Sequence, residues 1–84
     1  MKILIVEDEA IIFMHLEMLV EEFGHKVCAI ATTARMAIAY AATHRPDLAL
    51  MDIRLAEGSS GIDAAREIHG RHGIRCTFFE REPR

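Results

Sequence analysis

The chain has 84 residues, 51% of them apolar and 27% charged, with a formal net charge of −3. That length holds one domain, buries only ~60–65% of its unfolded surface, and is too apolar for a disordered segment. The acidic balance argues against a nucleic-acid-binding surface, although the acids crowd the first sixty residues while Arg66, Arg71, Arg75, Arg81 and Arg84 load the end. No apolar run approaches the ~20 residues of a membrane span, and Ile3 to Val6 is too short for the core of a signal peptide. The expectation is a cytoplasmic protein, in which Cys28 and Cys76, lacking metal spacing, are reduced, buried thiols.

In chain order, Lys2 to Val6 is a continuous apolar strand of the kind buried on both faces in a parallel sheet. Glu9 opens a helix whose apolar set, Ile12, Leu16, Leu19 and Phe23, steps by four, three and four, and Gly24 stops it. Lys26 to Ile30 is a second strand. Thr32 or Thr33 caps a second helix that runs through Ala41 and ends before Pro46, with Asp47 in the turn that follows. Leu48 to Met51 is the third strand, and Asp52 to Ser60 is a loop by composition. A third helix runs from Ile62 to Gly70 or Gly73, and Ile74 to Phe79 is a fourth strand before the charged tail 80–84. Strand and helix alternating three times imply right-handed βαβ units on a parallel sheet.

Two of these strands end in acid. Lys2 to Val6 runs into Glu7, Asp8 and Glu9, and Leu48 to Met51 runs into Asp52. If the two strands are parallel neighbours, their carboxyl ends share the rim where open α/β sheets place ligands, and the carboxylates converge. Ionised carboxylates that close repel, and a hard divalent cation such as Mg²⁺ is the usual remedy. The bland alternative makes Asp52 a turn former and Glu7 to Glu9 a solvated first helical turn. His69 and His72 are three apart but have no further ligand nearby, and His15 reads as a packing residue.

The strand Lys2-Ile3-Leu4-Ile5-Val6 feeding Glu7-Asp8-Glu9, the stretch Arg45 to Leu55 around Asp52, and Gly61-Ile62-Asp63-Ala64-Ala65 together resemble the response-regulator receiver domain of two-component phosphorelays. The resemblance runs from Lys2 to about Phe79. It implies a three-layer, flavodoxin-like α/β fold with parallel strand order 2-1-3-4 and three helices. It also implies that Asp52 is the phosphoacceptor, taking its phosphoryl group from a sensor histidine kinase or phosphotransfer protein. Glu7, Asp8 and Asp52, with the backbone carbonyl of Arg54, are then the ligands of Mg²⁺. A carboxylate is a competent nucleophile for this transfer.

Measured against that family, the chain is a single receiver-like domain over 1–84 that lacks the family's C-terminal third. The Ser/Thr that receives the phosphoryl group falls at about Glu80, an acceptor and not a donor when ionised, and Thr77 sits about three residues too early. The only lysines, Lys2 and Lys26, are not at a strand's carboxyl end. Switching is therefore expected to be impaired. The competing reading is a non-phosphorylated interaction module that binds a kinase or another receiver. A phosphatase is disfavoured because Arg54 stands where a general acid would be needed, so the chain is not expected to be an enzyme. With only the first helix left on one sheet face, strands carrying Ile3, Ile5, Leu48, Leu50, Ile74, Cys76 and Phe78 or their alternates are expected to expose apolar surface. The fourth strand has an open edge as well. A homodimer through the region Ile74 to Phe79 follows from this.

Overall fold

The computed structural model describes residues 1–54 and 60–80. Residues 55–59 of the expected loop and 81–84 of the expected charged tail lie outside the described residues. The elements are β1 (Lys2–Val6), α1 (Ala10–Glu22), β2 (Lys26–Ala31), α2 (Ala34–His44), β3 (Leu48–Asp52), α3 (Gly61–His72) and β4 (Arg75–Phe79). The four strands pair in parallel in the order β2-β1-β3-β4, as the sequence predicts.

Alternation along β1 divides the core in two. Leu4 and Val6 join Ala49 and Met51 on the face covered by α2 and α3, where Ala37, Ala41, Ala64, Ala65 and Ile68 are all buried. Ile3 and Ile5 join Val20 on the opposite face, beneath α1. The parallel ladder explains the continuous apolar strands, since β1 is buried on both sides from Ile3 onward.

The helix ends follow from local chemistry. Thr33, and not Thr32, caps α2, its hydroxyl accepting from the Met36 amide at 3.1 Å. Ser60 caps α3 in the same way through the Asp63 amide at 3.2 Å. Gly73 closes α3 in the left-handed region at φ 67°, where glycine carries no Cβ penalty. Arg45 ends α2 at φ 49°, immediately before Pro46 forbids a further turn. Asp47 ties the turn before β3 to the start of β1 twice: its carboxylate accepts from the Lys2 amide and its amide donates to the Lys2 carbonyl, both at 2.7 Å.

Two expectations about faces need correction. In α1 the inward residues are Phe13, Leu16 and Val20, whereas Leu19 and Phe23 are 41% and 76% exposed. In β4 the register pairs Cys76 with Ala49 and Phe78 with Met51, so both belong to the α2/α3 face. Thr77 and Phe79 occupy the α1 side. Cys28 and Cys76 are free thiols on β2 and β4, with β1 and β3 between them.

Candidate functional site

β1 and β3 are parallel neighbours whose last paired positions include Val6 opposite Met51. Glu7 and Asp52 therefore leave the sheet at the same level, and Asp8 follows on the turn into α1. The carboxylates of Glu7, Asp8 and Asp52 each place an oxygen within 4.8 Å of the others. The sequence expected these acids to converge, and the structure brings them together.

Burial is what sets this cluster apart from an ordinary acidic surface. Glu7 is 0% exposed and Asp52 1%, while Asp8 is half-buried. Neighbouring backbone holds the two buried carboxylates. Glu7 Oε1 accepts from the Glu9 amide at 2.9 Å, and Asp52 Oδ1 accepts from the Arg54 amide at 3.0 Å. Both are bonds to an amide two residues on; for Asp52 this is the local geometry that Asp side chains adopt in turns, which the longer Glu7 side chain reproduces here. The Glu7 amide in turn donates to the Ala31 carbonyl at 2.9 Å, which fixes the end of β1 against β2.

Three carboxylates brought this close in a largely buried pocket carry like charge, and a cation placed among them offsets it. All three donors are hard oxygens at a spacing that a small divalent cation spans, which suits Mg²⁺ over the softer metals that prefer sulfur or imidazole. Arg54 enters the site by its backbone: its amide holds Asp52, and its chain forms an isolated antiparallel bridge with Ser60.

Gly61 has a role that loop composition alone does not reveal. A Cβ at this position would strike the Asp52 carbonyl oxygen and come within 3.2 Å of Ile53 Cα. The Gly61 amide meanwhile donates to the Ile53 carbonyl at 3.2 Å. Only glycine lets the start of α3 lie this close to the end of β3, so Gly61 shapes the backbone that carries Asp52. Its signal in the sequence is its place at the loop-to-helix boundary.

The remaining candidates fall where elementary register puts them. Phe79 pairs with Asp52, and the Ile53 amide donates to the Phe79 carbonyl at 3.3 Å, so Glu80 emerges on the acidic rim. Thr77 pairs with Leu50, two residues below the rim. Lys2 and Lys26 begin β1 and β2 at the opposite end of the sheet. His69 is engaged elsewhere, with its Nδ1 3.2 Å from the Ile74 carbonyl.

Comparison with known proteins agrees with this geometry. The response regulator receiver domain family matches residues 3–79. Phyllosphere-induced regulator PhyR of Methylorubrum extorquens is 50% identical over 83 residues, which is 98% of this chain and 31% of that protein. The crystal structure of PhyR from Brucella abortus is similar with a TM-score of 0.88 at 44% identity, covering 92% of this chain and 32% of that one. PhyR from Bartonella quintana, solved in complex with the anti-sigma factor NepR, gives a TM-score of 0.86 at 42% identity, again over 92% of this chain and 32% of the other. The chain thus spans about a third of the length of these relatives. With the acidic rim, the 2-1-3-4 sheet and a match over residues 3–79, the chain belongs to the response regulator receiver domain family.

Proposed function

We propose that this receiver accepts a phosphoryl group on Asp52 in the presence of Mg²⁺ held by Glu7, Asp8, Asp52 and the backbone carbonyl of Arg54. The observation that carries the reading is the convergence of three carboxylates from two adjacent strand ends, two of them almost fully buried. Glu7, Asp8 and Asp52 would hold Mg²⁺ there, and the ion would supply positive charge to offset that on the transferring oxygens. In the transfer an Asp52 carboxylate oxygen forms the new bond to phosphorus as the bond from phosphorus to the donor histidine nitrogen breaks, and the imidazole departs. The Arg54 amide fixes the plane of the Asp52 carboxylate, and Gly61 keeps α3 close behind it.

The donor in this reading is a sensor histidine kinase or phosphotransfer protein, and the chain is a phosphorylated substrate and not a turnover enzyme. Glu80 stands on the same rim and, when ionised, repels the incoming phosphoryl oxygens where a hydroxyl would donate to them. The expected result is slow phosphorylation and a weak conformational response. We place the protein in the cytoplasm; no helix among the described residues is long and apolar enough to cross a membrane. Self-association through the region around β4 belongs to the same reading. Engagement of an anti-sigma factor of the NepR kind is a proposal for a longer regulator that includes this receiver, since the chain covers 32% of the relative solved with NepR.

The test is intact mass after incubation with a small phosphodonor and Mg²⁺, for the chain, Asp52→Asn and Glu80→Thr. One phosphoryl adduct is expected on the chain, more on Glu80→Thr, and none on Asp52→Asn. An adduct that persists in Asp52→Asn, or its absence from both the chain and Glu80→Thr, overturns the acceptor role and leaves the non-phosphorylated interaction module.

A further inference from the structure

The solvent side of α1 carries thioether and imidazole groups that neither the core nor the acidic rim uses. Met14 and Met18 are 58% and 66% exposed. His15, which the sequence suggests is a packing residue, is exposed as well. The reason is rotational: Phe13, Leu16 and Val20 face the sheet, and His15 stands about 100° around the helix from Leu16. Met14 and Met18 are four residues apart and His15 is three before Met18, so the three side chains are neighbours within about one turn.

Elsewhere in the sheet and helices methionine serves packing. Met51 is fully buried, and Met36 lies against the same core with its sulfur accepting from the Thr32 hydroxyl at 3.2 Å. Filling core gaps is the usual use of this flexible side chain, and Met14 and Met18 fill none. What they offer instead is two soft sulfur donors on mobile stems beside an imidazole nitrogen. The charge around them favours a cation, because α1 contains Glu17, Glu21 and Glu22 and neither lysine nor arginine.

We propose that Met14, His15 and Met18 form a site for a soft monovalent cation, Cu⁺, held by two thioether sulfurs and one imidazole nitrogen. Thioethers select Cu⁺ and offer nothing to Mg²⁺, which demands oxygen ligands, whereas the rim of Glu7, Asp8 and Asp52 has the opposite preference. The two sites therefore sort metals by hardness on one small domain. The α1 glutamates raise the local concentration of cations without entering the ligand set. All three ligands come from one turn of one helix, so the site needs no other element, and the inference is independent of phosphoryl transfer.

The test is titration of Ag⁺, a soft stand-in for Cu⁺ that stays in one oxidation state, into the chain with labelled methionine methyls and histidine rings in chloride-free buffer. Cys28 and Cys76 are free thiols and also bind Ag⁺, so the chain is compared with Cys28→Ala/Cys76→Ala. In that variant the Met14 and Met18 methyls and the His15 ring are expected to shift together along one curve that saturates at one equivalent. In the unaltered chain they follow once the thiols are filled. Met36 and Met51 stay in place, and Mg²⁺ moves none of these signals. Met14→Leu is expected to weaken the curve by about tenfold or more, since even an outer partner of a metal site is worth that much, and Met14→Leu with Met18→Leu to abolish it. Silence of the three residues in both the chain and the thiol-free variant overturns the proposal. So does a shift of the Met14 and Met18 methyls that matches the exposed Met1 and leaves His15 unmoved, which marks adventitious thioether binding, or a His15 response that survives loss of both methionines.

Discussion

The two faces of the sheet are built to different standards of closure. On the α2/α3 face the sheet residues Leu4, Val6, Ala49 and Met51 are fully buried, and alanines at 37, 41, 64 and 65 let both helices settle close to the strands and to each other. On the α1 face the buried residues among those described are Ile3, Ile5 and Val20, at 3%, 0% and 9% exposed, while Leu48 and Leu50 on β3 remain partly exposed. One helix spans β1 and β2 but leaves β3 and β4 thinly covered. The same strands therefore support a more fully buried core on the α2/α3 side than on the α1 side.

The largest effect expected from this difference is in core truncation. Ile68→Ala removes a fully buried side chain from the closed face and is expected to cost about 3–4 kcal/mol, against about 1–2 kcal/mol for Leu50→Ala on the open one. Urea denaturation of the two variants checks this, and equal losses would erase the distinction. Next comes Gly61→Ala, whose methyl meets backbone and not a yielding side chain; it is expected to cost about 2 kcal/mol and to lower phosphorylation of Asp52 along with stability. A melting curve and the intact-mass assay on the same sample read both. Thr33→Ala and Ser60→Ala remove the hydroxyl caps of the two helices that close the better-packed face, at about 1 kcal/mol each in thermal unfolding.

The smallest effect concerns the thiols, both of which pack at the margin of the closed face. Burial pushes the Cys28 and Cys76 thiols up from their ordinary range. The unfolded chain then gives up these protons at lower pH than the folded one, so their contribution is constant below the ordinary thiol range and stability falls as pH rises through it. Alkylation at mildly alkaline pH is expected to be slower in the folded chain than in urea, and equal rates would contradict the burial.

Much of this architecture is legible in the sequence because apolar strands ending in acid report both the parallel sheet and its ligand-binding rim. Glu7, Asp8 and Asp52 converge as that pattern requires. The buried side of α1 is not legible in the same way. The helix carries apolar residues nearly all round, so the spacing of Ile12, Leu16, Leu19 and Phe23 describes one stripe among several, and contact with β1 and β2 selects Phe13, Leu16 and Val20 instead. The faces of β4 were equally open until pairing with β3 set Cys76 beside Ala49, since a shift of one residue exchanges every side chain between faces. Gly61 and the Arg54 amide act through backbone proximity to Asp52, which no periodicity encodes.

The central claim, that the ends of β1 and β3 form one Mg²⁺ pocket, is tested most directly by titrating Mg²⁺ into the isotopically labelled chain and following its backbone amides. The account predicts that amides of residues 7–9 and 52–54 shift together along one saturating curve, that Asp52→Asn weakens that curve by about tenfold or more, and that amides beside Glu17, Glu21 and Glu22 stay in place. Unchanged spectra at tens of millimolar Mg²⁺, or equal shifts at the α1 glutamates, would contradict it.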